Sequence, residues 1–195
     1  MNHHPSLQPG QTLGLRWRQI EPTYVTTHPL HLDPNWFYRR GIRGVIFDFD
    51  NTLISNHSSE IGENRSELLE QWIKTFGKEH VMIVSNKLPI FGMATKLKTE
   101  AKRFGIQALA TGLLIKPFPR SLKRAANMMN INPDKILMVG DLLLTDIIGG
   151  KLAGMPTLLV APVNSTERPG IHALRLLERL LGYHAMDEHS QPNRD

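Results

Sequence analysis

The chain is 195 residues long with a mass of 22.1 kDa, and 41% of its residues are hydrophobic, enough for one substantial core and short for two full domains. It contains no cysteine, which excludes a disulfide framework, a zinc–thiolate site and a cysteine nucleophile and leaves the compartment undetermined by redox chemistry. A formal charge of +5 and a sequence pI of about 9.6 draw the molecule toward polyanions (nucleic acid, anionic lipid, phosphorylated substrates) without choosing among them.

The longest apolar runs, Gly44 to Phe47 and Thr157 to Ala161, fall far short of the roughly 20 residues that a membrane-spanning helix requires, so no transmembrane segment is predicted. Met1-Asn2-His3-His4-Pro5 is not a charged segment leading into an apolar one, and no secretory signal is expected. A cytoplasmic location, peripheral at a membrane at most, follows as the expectation.

Residues 1–29, rich in Pro, Gln, His and Thr, are predicted as an extended arm laid over a domain spanning 30–184, with a polar tail at 185–195. Within the domain, Gly44-Val45-Ile46-Phe47 is a continuous apolar run ending in Asp48, the pattern of a central strand buried on both faces. Asn64 and Glu67 resemble a capping box ahead of a helix whose apolar face is Leu68, Leu69, Trp72, Ile73 and Phe76, closed by Gly77. Val81 to Val84 reads as a second strand ending at Ser85-Asn86. Ala94, Leu97, Ala101 and Phe104 mark one face of the next helix, before Gly105. The alternation continues with a strand over Ile106 to Ala110, a helix over Arg120 to Met129, a strand over Ile136 to Val139, a helix over Leu142 to Ala153 and a strand over Thr157 to Val160.

Strands alternating with helices predict a parallel sheet covered on both faces, a Rossmann-like three-layer α/β/α sandwich. In such sheets the ligand crevice lies beyond the carboxyl ends of the strands, so the polar residues that follow each apolar run matter most. After the first strand, Asp48 and Asp50 stand two residues apart in Asp48-Phe49-Asp50-Asn51-Thr52-Leu53. Two neighbouring carboxylates at a buried strand end repel each other and are costly to desolvate, and a cation relieves both problems. Ser85 and Asn86 offer a hydroxyl and an amide for phosphate oxygens. Lys116, placed after Leu113-Leu114-Ile115 and before Pro117, has the charge to neutralise a transferring phosphoryl group. Gly140-Asp141 followed by Asp146 supplies further oxygen ligands for a hard cation. Each group has a bland counterpart as a helix cap, turn residue or solvated charge. Their conjunction at four successive strand ends points to one site.

These residues resemble the four motifs of the haloacid-dehalogenase (HAD) superfamily: Asp48-x-Asp50-x-Thr52, Ser85, Lys116, and Gly140-Asp141-x-x-x-x-Asp146. More narrowly, Gly41 to Leu53, Val84-Ser85-Asn86, Lys116-Pro117 and Gly140-Asp141-x-x-x-Thr145-Asp146-x-x-Gly149-Gly150 are similar to the YqeG-type branch related to mitochondrial phosphatidylglycerophosphate phosphatase. That branch commonly has leucine where Phe49 stands and glutamine where Leu142 stands; neither change removes a charged group. The resemblance implies a magnesium-dependent phosphomonoesterase in which Asp48 becomes phosphorylated and Asp50 is general acid and base. It also implies that Thr52, Ser85, Asn86 and Lys116 bind or position the phosphoryl group, and that magnesium is held by Asp48, Asp50 through its carbonyl, Asp141 and Asp146.

The intervals from Asp48 to Ser85 and from Ser85 to Lys116 are already occupied by the helix and strand that the sheet needs, so a capless site is predicted, open to large or surface-bound substrates. A lipid phosphate at an anionic membrane fits, and with the resemblance it suggests hydrolysis of phosphatidylglycerophosphate to phosphatidylglycerol. Candidate docking groups are Arg39, Arg40 and Arg43, and Lys96, Lys98, Lys102 and Arg103. The late segment Ile171 to Leu181, with Leu174, Leu177 and Leu181 on one face, reads as core packing or as an anchor. The alternatives are a capless phosphatase of protein or nucleic-acid phosphates, with nucleic acid the weaker case, a receiver-type signalling domain, or a catalytically silent binding protein.

Overall fold

The computed structural model describes residues 8–9, 21–55, 58, 60–86, 95–112 and 116–163. Ala94, the run Leu113 to Ile115, the segment Ile171 to Leu181 and the tail beyond it lie outside the described residues.

Seven strands form one sheet: β1 (Gln8–Pro9), β2 (Tyr24–Thr26), β3 (Gly44–Asp48), β4 (Val81–Ser85), β5 (Gln107–Ala110), β6 (Ile136–Gly140) and β7 (Thr157–Val160). Their order is β1-β2-β7-β6-β3-β4-β5. Every pairing is parallel except that of β1 with β2. Tyr24–Thr26, which precedes the expected start of the domain at residue 30, pairs in register with Leu158 to Val160 of β7. β3 lies between β4 and β6, and all five of its residues are buried, because a strand with neighbours on both edges and helices on both faces has no side left for water.

Five helices complete the described fold: α1 (Pro34–Arg39), α2 (Glu63–Phe76), α3 (Thr95–Phe104), α4 (Arg120–Met129) and α5 (Ile148–Ala153). Alternation along β3 sorts them into two layers. Val45 and Phe47 pack in a cluster with Phe37, Leu68, Trp72, Leu97 and Phe104, so α1, α2 and α3 cover that face. Ile46 packs with Leu122, Ala125, Met129 and Ala153, which puts α4 and α5 on the other. Side chains that alternate along a pleated strand thus build a three-layer α/β/α sandwich.

Two local expectations are corrected. The capping box at Asn64 and Glu67 does not form. α2 begins two residues earlier than a cap at Asn64 would start it, at Glu63, with Gly62 as its cap and no side-chain cap, which leaves Asn64 inside the first turn. The chain entering α2 is held by tertiary contacts instead: buried Glu100 of α3 accepts a hydrogen bond from the Ile61 N–H at 3.1 Å, and the Ser66 hydroxyl donates to the Ile61 carbonyl at 3.3 Å. The helix expected from Leu142 opens as a wide π-type turn over Leu143–Ile147 and becomes α-helical only at Ile148, since the Asp146 side chain is drawn back to the strand end, as described below.

Between Asp48 and Ser85 the chain forms α2, a single 3₁₀ turn and β4, and between Ser85 and Lys116 the described elements are α3 and β5. No cap-sized element stands among the described residues of either interval. No helix among the described residues is long and apolar enough to cross a membrane.

Trp72 is buried at the centre of the larger cluster, against Phe37, Phe47 and Phe76, and its indole N–H has no hydrogen-bond partner among the described residues. Its contribution is therefore one of packing. Trp72→Ala should lower unfolding free energy by about 3–5 kcal/mol, whereas Trp72→Phe, which keeps one aromatic ring and loses the other together with the idle N–H, should cost clearly less than the alanine variant. Urea denaturation of the two variants measures the contrast.

Candidate active site

The parallel strands end on one side of the sheet, and three of them end at or just before a polar residue of the candidate site. β3 ends at Asp48, β4 at Ser85 and β6 at Gly140, immediately before Asp141. Beyond Asp48 the backbone turns sharply: the N–H groups of Leu53 and Ile54 both donate to the Phe49 carbonyl at 3.1 Å, and the Asn51 N–H donates to the Ile54 carbonyl at 2.8 Å. Asn51 has a φ of +64°, in the left-handed region that asparagine tolerates better than other side-chain-bearing residues. Phe49, Leu53 and Ile54 are buried, so the turn is anchored from beneath and Asp50 and Thr52 are held over the strand end.

Lys116 joins the strand ends. Its ammonium, almost fully buried, donates to Asp48 Oδ1 at 2.6 Å and to Asp146 Oδ1 at 2.5 Å. Burial alone would drive the amine toward its neutral form. The carboxylates of Asp146 and Asp48 outweigh that effect and raise its pKa above the ordinary lysine value, so it stays charged. Asp48 is pushed well above the usual carboxylate range, first by burial and then by the nearby charges of Asp146, Asp141 and Asp50, with Lys116 opposing. Burial and like charge both disfavour the ionised Asp48 carboxylate, so more positive charge than one lysine supplies is needed to hold it ionised.

The donor set meets that need. Asp48, Asp141 and Asp146 are buried, and each offers a carboxylate oxygen within 4.8 Å of the others. An all-oxygen set with excess negative charge suits a hard divalent cation. The group can hold a metal ion, with Lys116 neutralising only part of its charge.

Hydroxyl and amide groups hold these acids in place. Thr52 Oγ1 donates to Asp141 Oδ1 at 2.8 Å, and Ser85 Oγ donates to Asp50 Oδ2 at 2.9 Å. Asn86 brackets the lysine loop: its Oδ1 accepts from the Lys116 N–H at 2.9 Å and from the Thr111 hydroxyl at 3.3 Å, while its Nδ2 donates to the Lys116 carbonyl at 3.4 Å. The structure thus brings together Asp48, Asp141, Asp146 and Lys116 directly, Asp50 with Ser85, and Thr52 with Asp141. It engages the Asn86 side chain with backbone and with Thr111.

One contributor escaped the sequence reading, and another stood in a motif without its physical reason. The Leu142 N–H donates to Asp146 Oδ2 at 3.2 Å, folding the aspartate back within the π-type turn, a distortion that recurs at functional sites. Gly140 is needed because a Cβ there would collide with the Asp146 carboxylate. A glycine ahead of an aspartate was the available signal, but its reason lies in a contact across the turn. Gly140→Ala should displace Asp146 and lower kcat/KM on a soluble phosphomonoester by on the order of 100-fold, the effect of misplacing a reacting group by about an ångström; steady-state kinetics on the purified variant provide the measurement.

A family model described as mitochondrial PGP phosphatase matches residues 15–164. The probable phosphatase YqeG of Bacillus subtilis is 31% identical over 149 residues, covering 75% of this chain and 80% of its own. Phosphatidylglycerophosphate phosphatase 1, chloroplastic/mitochondrial, of Arabidopsis thaliana is 28% identical over 167 residues, 84% of this chain but 47% of that protein. Among solved structures, a HAD phosphatase from Thermococcus onnurineus aligns with a TM-score of 0.44 at 17% identity, over 74% of this chain and 100% of its own. Matched by that family model over most of its length and by the Bacillus phosphatase across four-fifths of the relative, the chain belongs to the mitochondrial PGP phosphatase family, in the YqeG-type branch of the HAD phosphatases.

Proposed function

We propose that this phosphatase is a magnesium-dependent phosphomonoesterase that works through a phosphoaspartate at Asp48, with phosphatidylglycerophosphate as substrate and phosphatidylglycerol as product. The observation that carries the chemistry is the buried Lys116 ammonium shared by Asp48 and Asp146 beside Asp141, an arrangement that concentrates positive charge where a carboxylate must approach a phosphate dianion.

In the first step a carboxylate oxygen of Asp48 forms a bond to phosphorus as the bond to the leaving oxygen breaks, and Asp50 delivers a proton to that oxygen. In the second, water attacks the same phosphorus, Asp50 takes its proton, and the acyl phosphate bond breaks to return Asp48 and inorganic phosphate. Asp50 is suited to the task because Ser85 orients it and because it is only partly buried at the mouth of the site. Lys116 and Ser85 grip phosphoryl oxygens during transfer. Thr52 holds Asp141 in position, and Asn86 holds the backbone that presents Lys116. Asp48, Asp141 and Asp146, with the Asp50 carbonyl, would hold magnesium, which would supply charge neutralisation at the transferring group.

The lipid substrate is supported by the family description, by the name of the Arabidopsis relative, and by the absence of a cap-sized element among the described residues. A headgroup fixed in a bilayer can reach such an open site, and the net charge of +5 favours an anionic surface. The same charge leaves protein or nucleic-acid phosphates as the competing substrates. A location in the cytoplasm with peripheral membrane contact remains part of this proposal.

Three measurements examine the reading. Asp48→Asn should abolish turnover while leaving the unfolding transition in place; substantial residual activity would remove Asp48 from its role. Magnesium at about 100 times its Kd should add about 2.7 kcal/mol of stability, a rise of about 5–10 °C in melting temperature for a chain of this size, and Asp141→Ala should lose that rise. Phosphatidylglycerophosphate in mixed micelles should be hydrolysed faster than generic small phosphates or phosphopeptides; equal rates would set the lipid assignment aside.

A further inference from the structure

Three groups of basic residues decorate this chain, and the fold sends them to different places. Arg39, Arg40 and Arg43 immediately precede β3, at the amino ends of the parallel strands and so opposite the site. They are also engaged there: Arg39 pairs with Asp33 at 3.2 Å, Arg40 lies over the Trp36 ring, and Arg43 lies over Tyr38 and donates to the carbonyls of Tyr38 and Ile42. On α3, Lys96 donates to the Ser58 carbonyl, and Arg103 pairs with Glu100 and Glu60. The arginines before β3 are thus remote from the site and engaged, and on α3 Lys96 and Arg103 are engaged while Lys98 and Lys102 are exposed on a helix that also carries Glu100.

The third group was not singled out by the sequence. α4 begins at the site end of the sheet, four residues after Lys116, and descends along the face. Arg120, Lys123 and Arg124 are exposed on it and lie one turn apart or less, on one stripe at i, i+3 and i+4, within about 6 Å of the helix start along its axis. The helix contains no acid, and no salt bridge to these three is found among the described residues. Cations in the first turns of a helix oppose its macrodipole, which favours anions there, so their position is not explained by helix stability. Beside them, two residues from the catalytic lysine, Phe118 is 67% exposed. It is flanked by Pro117 and Pro119, whose fixed φ angles stiffen the backbone that presents the ring.

We infer that Phe118 and the Arg120, Lys123 and Arg124 stripe form a docking surface for an anionic lipid bilayer, which seats the mouth of the active site on the membrane. The inference rests on the lipid-phosphate reading above and names the surface through which that substrate is reached. An exposed apolar ring flanked by cations matches the interface of such a bilayer: the ring enters the acyl boundary and the cations meet the headgroup charge. The surface adjoins Lys116, so docking there brings headgroup phosphates to the strand ends and not to the opposite rim.

Flotation of the full chain with vesicles of phosphatidylcholine, alone or mixed with phosphatidylglycerol, tests this. The wild type should bind only the anionic vesicles, and added salt should weaken binding. K123E/R124E should lower vesicle affinity at least about tenfold, and F118S should lower it several-fold. Both variants should hydrolyse a soluble aryl phosphate at near the wild-type rate, which also shows that they fold. R39E/R40E should bind as the wild type does. Unchanged vesicle binding by K123E/R124E and F118S, equal loss in R39E/R40E, or α4-dependent binding to RNA in place of vesicles would each overturn the proposal. Vesicle binding that depends on α4, without hydrolysis of phosphatidylglycerophosphate, upholds the docking surface and removes the lipid substrate. Hydrolysis of that lipid in micelles by a protein whose α4 variants bind vesicles normally does the reverse.

Discussion

One buried ammonium makes the strand-end acids compatible with a folded protein. Lys116 holds Asp48 on one side and Asp146 on the other, and all three are shielded from water. Removing an ion from water costs several kcal/mol even after relaxation, and a buried charge that loses its partner costs about 3–5 kcal/mol. Both penalties are tolerated here because the lysine is shared, so that a single cation offsets two carboxylates. What it leaves over, with Asp141 alongside, is the excess negative charge to which a hard cation responds. Structure and chemistry thus draw on the same imbalance.

The rest of the fold keeps that arrangement in register. β3 and β6 are neighbours, which brings Asp48 beside Gly140 and the acids that follow it. β4 flanks β3 on the other edge, placing Ser85 against Asp50. Asn86 fastens the loop carrying Lys116, so the lysine is fixed through its backbone as well as through its charge. The wide turn after Asp141 and the missing side chain at Gly140 are two solutions to one problem, room for the Asp146 carboxylate close to the strand end. A regular α-helical start, or any side chain at Gly140, would move it away.

The elements between the site motifs also decide what can reach them. With α2 and β4 in one interval, α3 and β5 in the other, and no cap-sized element among the described residues, selection of substrate falls to the rim of the site. That rim is asymmetric. On the α3 side, Lys96 and Arg103 are tied to the loop after Asp48, Glu60 and Glu100 while Lys98 and Lys102 are exposed, whereas on the α4 side the exposed cations stand next to an aromatic ring.

Much of this was written in local sequence. Short apolar runs marked the strands because a doubly covered strand has no polar face, and 3.6-residue periodicity marked α2 and α3 because each buries one stripe. The site residues were legible as polar groups directly after those runs. Other features depended on partners distant in sequence: Lys116 meets Asp48 across 68 positions, Thr52 meets Asp141 across 89, and Ser85 meets Asp50 across 35. The entry to α2 depends on Glu100 of another helix, so the capping pattern at Asn64 misled, and the end of the sheet to which each basic cluster goes depends on strand direction. Local periodicity records which face of an element is buried; which elements become neighbours, and hence which charges meet, is set by sheet order and register, and only the assembled fold decides that.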